Sequence, residues 1–188
     1  MRKRIVILAS GQGSLAQAII DASELEIQIV AVVSDRADAQ VLDRAKKASI
    51  NTAVVELTDA RHSWNQRLFD QVDLYNPDLV VSAGFMRILS PEFVNHFPTI
   101  NSHPALLPDF PGAHAVRDAL AAGVSVTGTT VHWVDAGVDT GPIITQMEVP
   151  VLPGDTEETL HERIKKVERG LIVATIALII PTLETNTR

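Results

Sequence analysis

The chain has 188 residues, of which 46% are apolar and 21% charged, and its formal net charge is −7. This length and composition suit a single globular domain and argue against disorder. Because there is no cysteine, a disulfide framework, a thiolate metal site and a cysteine nucleophile are excluded. The acidic balance disfavours a nucleic-acid partner, and no apolar stretch reaches the roughly 18 residues needed to span a bilayer. We therefore expect a cytoplasmic protein that acts on small molecules.

Short β-branched runs alternate with helical patterns in the first half of the chain. The strand-like runs are 5–8, 27–33, 52–55 and 78–82, and the helical patterns are 14–23, 38–47 and 60–75. Strands that are apolar on both faces and separated by helices are typical of a parallel sheet covered on both sides. We therefore predict an α/β fold, a Rossmann-like and mostly parallel sheet with helices on both faces.

The second half has a different pattern. A proline-rich stretch precedes a helical pattern at 115–122 and two β-rich runs at 127–134 and 143–149. The turn formers between those runs predict an antiparallel extension of the sheet. Asp155 is expected to cap a final helix that continues to Ile180. No linker interrupts the chain, so residues 1–188 are predicted to form one domain.

A glycine-rich turn follows the first strand. Gly11, Gln12, Gly13 and Ser14 open the pattern G-x-G-x-x-A, and Asp35 lies near the end of the second strand at about the spacing of an NAD ribose carboxylate. Glycines at a helix N-terminus bind any phosphate, whether it belongs to a dinucleotide or stands alone. A dinucleotide site, a lone phosphate site and a tight turn without ligand all fit this pattern.

Asn101 and His103 stand at the predicted carboxyl end of a strand, where open α/β folds place their sites. Amide and imidazole donors together can stabilise an oxyanion, although each residue could equally serve packing or loop structure. Ser102 is interpreted as a spacer between them. The prolines that follow stiffen the next loop, which favours a fixed geometry for the polar pair.

Two further polar residues lie in the second half. Asp139 is in a glycine-containing turn before a strand, where it could enter the same cleft or bond its own backbone as an Asx turn. His132 lies in an alternating strand and is assigned to packing or to support of other residues. Neither H-x-H nor paired-carboxylate spacing occurs, so no metal is predicted.

Taken together, the motifs resemble those of the phosphoribosylglycinamide formyltransferases of purine biosynthesis. The matching motifs, in order, are A-S-G-Q-G-S, G-F-M-R-I-L-S, N-S-H-P-A-L-L-P with F-P-G-A-H, T-V-H, D-T-G-P-I and G-D-T-E-E-T-L. By this resemblance Asn101, His103 and Asp139 are the catalytic residues. The resemblance implies formyl transfer from 10-formyltetrahydrofolate to the amine of 5′-phosphoribosylglycinamide, with Asp139 stabilising the imidazolium of His103 and orienting a water.

The resemblance also implies two binding sites. The ribonucleotide phosphate would lie on Gly11, Gln12, Gly13 and Ser14, mainly within residues 1–80, with Glu168 and Lys165 contributing from the last helix. The folate site, like the catalytic residues, would lie mainly within residues 81–145. Its residues would be Arg61, Met86, Arg87, Ile88, Leu89, Val94 and His114. Arg61 would meet the glutamate tail of the folate. The resemblance implies a monomer or homodimer and no metal.

The chain departs from the family pattern in three places. Segment 93–100 is shorter than expected after a predicted Met-Arg-Ile-Leu helix, and Leu15 replaces the usual asparagine, so only backbone phosphate contacts carry over. The chain also ends at Asn186, Thr187 and Arg188 without the C-terminal strand segment of many members. Other hypotheses remain open, namely a 10-formyltetrahydrofolate deformylase and a dinucleotide-dependent oxidoreductase. The chain length leaves no room for the added domains of the deformylase or of the methionyl-tRNA formyltransferases, which share the catalytic residues.

Overall fold

A computed structural model describes residues 2–58 and 60–184, and the chain end at Asn186, Thr187 and Arg188 lies outside these ranges. Its strands are β1 (Lys3–Leu8), β2 (Ile27–Ser34), β3 (Asn51–Val54), β4 (Leu79–Ser82), β5 (Thr99–His103), β6 (Val126–Trp133) and β7 (Ile143–Pro150). Its helices are α1 (Ser14–Asp21), α2 (Gln40–Lys47), α3 (Arg61–Asp73), α4 (Pro91–His96), α5 (Ala115–Ala121) and α6 (Glu157–Ile179), followed by a short 3-10 turn at Ile180–Thr182.

The seven strands form one sheet in the order β3-β2-β1-β4-β5-β6-β7. Strands β1 to β5 pair in parallel, and β6 and β7 add to the edge of β5 in antiparallel pairs. The chain runs outward from β1 to β3 and then returns to the other side of β1. The topological switch point therefore lies between β1 and β4, where open α/β sheets bind ligands at the carboxyl ends of their strands.

Alternate residues of the central strands supply two separate cores. Ile5 and Ile7 of β1 pack on one face with α1, α2 and α6, whereas Val6 and Leu8 pack on the other with α3 and α4. Such strands, buried on both faces, explain the continuous apolar runs in the sequence. The predicted α/β fold with helices on both faces and an antiparallel extension is confirmed.

Two local predictions need correction. Residues 84–90 are irregular, so the predicted Met-Arg-Ile-Leu helix is wrong, and a helix begins instead at Pro91 with Ser90 as its N-cap. The N-cap of α6 is Thr156, which exchanges capping hydrogen bonds with Thr159. Asp155 lies one residue earlier and binds Arg163. Asn101 and His103 lie at the carboxyl end of a strand, β5, as predicted.

Candidate active site

The carboxyl end of β5 carries a cluster of polar side chains. Asn101 and His103 are two residues apart and therefore project from the same face of the sheet. Antiparallel pairing places His132 of β6 directly opposite Asn101. The turn between β6 and β7 brings the Asp139 carboxylate to 3.3 Å from His103 Nδ1 and 3.5 Å from His132 Nε2. The three residues predicted to be catalytic thus meet, and His132 joins them.

Asp139 is held in the turn in a left-handed backbone conformation, with φ of 55°. Aspartate tolerates this conformation better than most residues do. The Gly112 N–H donates to its Oδ2 at 2.8 Å. Burial raises the pKa of the Asp139 carboxyl, but hydrogen bonds from His132 and Gly112 and the charge of His103 together lower it below its ordinary value. Asp139 is therefore a carboxylate at neutral pH.

The His103 ring meets an oxygen acceptor on each side. Its Nε2 donates to the Phe110 carbonyl at 2.8 Å, and its Nδ1 faces Asp139. A neutral imidazole carries one proton, so only the imidazolium satisfies both contacts. Phe110 and Gly112 both belong to the proline-rich segment after β5, which therefore supplies two backbone groups to the cluster.

His132 orients the Asn101 amide. Its Nδ1 donates to the Trp133 carbonyl at 2.8 Å, and its Nε2 lies 3.3 Å from Asn101 Nδ2 and 3.5 Å from Asp139 Oδ1. In the charged ring Nε2 donates to Asp139, whereas in the neutral ring Nε2 has no proton and accepts from Asn101. One amide hydrogen of Asn101 is used in this contact, and the second is left for another acceptor. The supporting role predicted for His132 agrees with this contact, but its target could not be found without the strand register.

The glycine loop joins β1 to α1. Gly13 has φ of 74°, and a Cβ placed on it would lie 2.4 Å from Val41 Cγ2. Only glycine fits there. No side chain caps α1, so the N–H groups of its first turn are available to an anion. This geometry agrees with a phosphate site at residues 11–14, which stays a prediction.

The carbonyl groups of the same loop are held by α2. The Val41 N–H donates to the Gly11 carbonyl at 3.1 Å, and Arg44 Nε donates to the Gln12 carbonyl at 2.7 Å. Because these carbonyls are already bound, the loop keeps one orientation. Sequence reasoning missed Arg44, since nothing in a helical pattern shows which loop a side chain reaches.

Glu168 lies on the other face of the sheet from Asn101 and His103. It is only 7% exposed, and its Oε1 accepts a 2.8 Å hydrogen bond from Ser102 Oγ. Burial raises the pKa of the Glu168 carboxyl, against the lowering effect of the Ser102 hydrogen bond. Lys165, one turn earlier in α6, pairs with Glu162 at 2.8 Å. The interpretation of Ser102 as a spacer is incomplete, because its hydroxyl has a specific partner.

The segment 84–90 is fixed from two neighbouring elements. Ser10 Oγ, at the end of β1, accepts from the Met86 N–H at 2.8 Å. Arg61 donates to the Ile88 carbonyl and lies 4.5 Å over the Trp64 ring. Partial burial and the charge of Arg87 lower the pKa of Arg61.

The apolar side chains predicted to bind folate, and His114, differ in their exposure to solvent. Met86 and Ile88 are 72% and 60% exposed, although both are apolar. Leu89 is buried and Val94 half-buried in the core beneath them. His114 lies exposed at the start of α5.

Asp35 is paired with Arg87. The Arg87 Nε lies 2.7 Å from Asp35 Oδ2, and the Asp35 side chain is 1% exposed. A carboxylate that binds an NAD ribose must accept hydrogen bonds from the ribose hydroxyls. In this structure one Asp35 oxygen is already bound by a guanidinium, which weakens the dinucleotide interpretation.

The described residues contain neither a cluster suited to a metal ion nor a helix suited to a membrane. In residues 2–58 and 60–184, no group of three or more histidine, aspartate or glutamate side chains is arranged to hold a metal ion. Within the same ranges, none of the helices has both the length and the apolar character needed to cross a membrane.

Comparison with known sequences assigns the family. Residues 3–176 match the formyl transferase family. The phosphoribosylglycinamide formyltransferase of Mycobacterium tuberculosis is 53% identical over 180 residues, which cover 93% of this chain and 83% of that protein. The enzyme of the same name from Escherichia coli is 44% identical over 174 residues, which cover 89% of this chain and 82% of that protein. The chain belongs to the formyl transferase family.

A solved structure agrees with this assignment. The crystal structure of glycinamide ribonucleotide transformylase 1 from Symbiobacterium toebii matches with a TM-score of 0.93 and 40% identity, covering 98% of this chain and 92% of that one. The resemblance stated from the motifs, the fold class and the enzyme class, a formyltransferase, are thereby confirmed.

Proposed function

We propose that the chain transfers the formyl group of 10-formyltetrahydrofolate to the amine of 5′-phosphoribosylglycinamide, in purine biosynthesis. Relatives that share half of its sequence carry the name of that activity, and a formyl folate is the co-substrate of the family. The observation that carries the proposal is the meeting of Asn101, His103 and Asp139 at the carboxyl end of β5, two strands away from β1, whose following loop is suited to a phosphate.

The chemistry needs three things from the site. The amine attacks the formyl carbon, and the carbonyl electrons move to oxygen, which becomes an oxyanion. Collapse of this tetrahedral intermediate breaks the bond to N10 of the folate, and a proton passes from the amine to N10. The products are the N-formyl ribonucleotide and tetrahydrofolate. The site must therefore stabilise an oxyanion, move a proton and hold two substrates together.

The polar cluster suits these needs. The second amide hydrogen of Asn101 donates to the oxyanion, and the His103 imidazolium adds a charged donor. In this structure the Phe110 carbonyl occupies His103 Nε2, so the formyl oxygen must compete with that carbonyl. The Asp139 carboxylate pairs with the His103 imidazolium and accepts the proton of the amine through an ordered water.

We propose the same binding sites that the sequence predicts. The phosphate binds the N–H groups of the glycine loop, with Lys165 and Glu168 contacting the rest of the ribonucleotide. The pterin lies on segment 84–90 against Met86 and Ile88, and the glutamate tail meets Arg61. We place the enzyme in the cytoplasm as a monomer or homodimer that requires no metal and binds neither nucleic acid nor membrane.

The competing hypotheses are weaker. A deformylase would share the cluster but has no need of a phosphate loop. An oxidoreductase would need Asp35 for the ribose, and Asp35 binds Arg87.

One experiment separates the three functions. The purified protein is given 10-formyltetrahydrofolate with and without the ribonucleotide, and tetrahydrofolate and formylated product are measured together. We expect tetrahydrofolate to form only with the amine present and in equal amount to the product. Release that ignores the amine would indicate a deformylase, and reduction of NAD by a hydroxy acid would indicate an oxidoreductase.

A further inference from the structure

Strand β5 presents polar side chains on both faces. Asn101 and His103 face the cluster with Asp139, whereas Ser102, between them, faces α6. Its Oγ donates to Glu168 Oε1 at 2.8 Å, and both residues are buried. The Glu168 carboxylate is therefore attached to the same strand that carries the proposed oxyanion donors.

Glu168 has fewer partners than a buried carboxylate can use. A carboxylate accepts about four hydrogen bonds, and the hydroxyl groups of Ser102 and Thr129 supply the two side-chain bonds that it receives. Among the described residues Glu168 forms no ion pair: the charges of Lys165 and Arg169 lower its pKa, but the Lys165 ammonium binds Glu162 instead. A buried carboxylate without a paired cation is costly. Its remaining acceptor sites are suited to N–H or O–H donors of a ligand.

We propose that Ser102 is a positioning residue for the formyl acceptor. Its hydroxyl fixes the Glu168 carboxylate so that this group receives the hydroxyl or amine donors of the ribonucleotide at the carboxyl edge of β5. The inference rests on the proposed function, because it takes the ribonucleotide as the ligand of Glu168. It assigns Ser102 no contact with the folate.

Steady-state kinetics of Ser102→Ala test the proposal. Because a hydrogen bond to a charged group is lost, we expect KM for the ribonucleotide to rise about tenfold. The kcat and the KM for 10-formyltetrahydrofolate should each stay within about threefold of the wild-type value, since Asn101 and His103 face the other side. Ser102→Thr, which keeps the hydroxyl, should restore the KM.

A matched control removes another buried hydroxyl from the same strand. Thr99 Oγ1 donates to the Phe97 carbonyl at the start of β5, far from Glu168 along the strand. Thr99→Val should leave KM for the ribonucleotide unchanged. A rise in both variants would show that the effect comes from packing of β5 and would overturn the proposal.

A double-mutant cycle shows whether Ser102 acts through Glu168. In a Glu168→Gln background, Ser102→Ala should add less than twofold to the KM, because the group that it positions has been altered. If Ser102→Ala raised the KM by the same factor in the Glu168→Gln background as in the wild type, the two residues would act independently and the proposal would be overturned. If Ser102→Ala does not fold, Ser102→Cys gives the same comparison, since it keeps the size but donates only weakly.

Different results would overturn the proposed function and the role of Ser102. A wild-type protein that does not formylate the ribonucleotide overturns the proposed function, and the inference with it. Wild-type turnover combined with an unchanged ribonucleotide KM in Ser102→Ala overturns the role of Ser102 alone.

Discussion

Asn101 and His132 share a hydrogen bond whose direction depends on the proton of the His132 ring. With Nδ1 protonated and bound to the Trp133 carbonyl, Nε2 accepts, and the Asn101 amide must present its nitrogen. A charged His132 would instead donate from Nε2, to Asp139 Oδ1 at 3.5 Å or to the oxygen of the Asn101 amide, and would no longer accept from the amide nitrogen. An oxyanion needs the nitrogen side of Asn101, so the neutral ring of His132 is the form that suits the reaction.

The first prediction concerns this contact. His132→Ala removes the acceptor that fixes the amide, so we expect kcat to fall by about 10- to 100-fold, comparable with the loss of one oriented donor. KM for the ribonucleotide should change little. Both constants come from the formylation assay. His161→Ala is the control, because His161 lies in α6 away from the cluster; an equal loss in both variants would contradict the assignment.

The second prediction concerns Asp139. Asparagine also tolerates the left-handed backbone and can accept the Gly112 N–H, so Asp139→Asn removes mainly the charge and the proton acceptor. We expect kcat to fall by about 100-fold or more, with a small change in folate binding.

The measurement pairs kcat with the dissociation constant for folate. Asp135→Asn provides the control, since Asp135 lies in the same turn and accepts from the Gly137 N–H and the Thr140 hydroxyl. If Asp139→Asn retained a third of the wild-type kcat, the proton-transfer role would be wrong.

At the scale of elements, the N-termini of α1 and α6 differ in whether side chains bind their backbone N–H groups. The start of α1 is left without a side-chain cap, which keeps its N–H groups open. The start of α6 is closed instead, by the capping exchange between Thr156 and Thr159 and by Asp155, which binds Arg163 and the Leu152 N–H. One terminus is suited to a ligand and the other to stability.

The third prediction concerns the turn before α1. Gly13→Ala should lower the free energy of unfolding by about 1–3 kcal/mol, because alanine is strained at positive φ and its Cβ meets Val41. Urea unfolding measures the change. Gly11→Ala is matched, since a Cβ at Gly11 has no neighbour within 4 Å. Equal stability of the two variants would contradict the strain argument.

The fourth prediction concerns the start of α6. Hydrogen bonds from Arg163 and the Leu152 N–H hold the pKa of Asp155 well below its ordinary value. A carboxyl whose folded pKa is depressed stabilises the fold above its unfolded pKa, and this stabilisation is lost as pH falls through the folded value. Asp155→Asn should therefore lower Tm by more at pH 7 than at pH 2. A pH-independent difference would show that charge is not involved.

At the scale of the whole molecule, loops from several strands are joined at one edge of the sheet. Ser10 after β1 binds segment 84–90 after β4, and Asp35 after β2 binds Arg87 of the same segment. A hydrogen bond and an ion pair therefore join the loops proposed to bind the phosphate and the folate, across the switch point.

The fifth prediction concerns this connection. Asp35→Asn leaves the Arg87 charge without its partner, so we expect unfolding free energy to fall by about 2 kcal/mol and KM for 10-formyltetrahydrofolate to rise. Urea unfolding and kinetics measure the two effects. Asp38→Asn is the control, because its pair with Arg36 is exposed and should leave both quantities unchanged. An unchanged folate KM in Asp35→Asn would show that the pair serves stability alone.

Sequence patterns predicted the elements well and their partners poorly. Apolar runs and turn formers located the strands, including the one that ends at His103, because those signals are local. Asn101 and His132 are 31 residues apart, and their contact depends on antiparallel register, which no local pattern contains. Arg44 and Ser102 were missed for the same reason, since each acts on a residue of another element. The helix expected at 84–90 is absent because the Met86 N–H donates to Ser10 Oγ and the Ile88 carbonyl accepts from Arg61, so side chains of other elements bind these backbone groups.

The two faces of β5 also have a consequence for how such enzymes diversify. By our proposals, β5 carries Asn101 and His103 for the one-carbon donor on one face and, on the other, Ser102, which positions Glu168 of α6 for the acceptor. Substitutions facing α6 can therefore alter which amine is accepted while the chemistry on the opposite side is inherited intact. We expect acceptor preference to be re-engineered most readily at Ser102, Thr129 and Glu168, with the donor half left untouched.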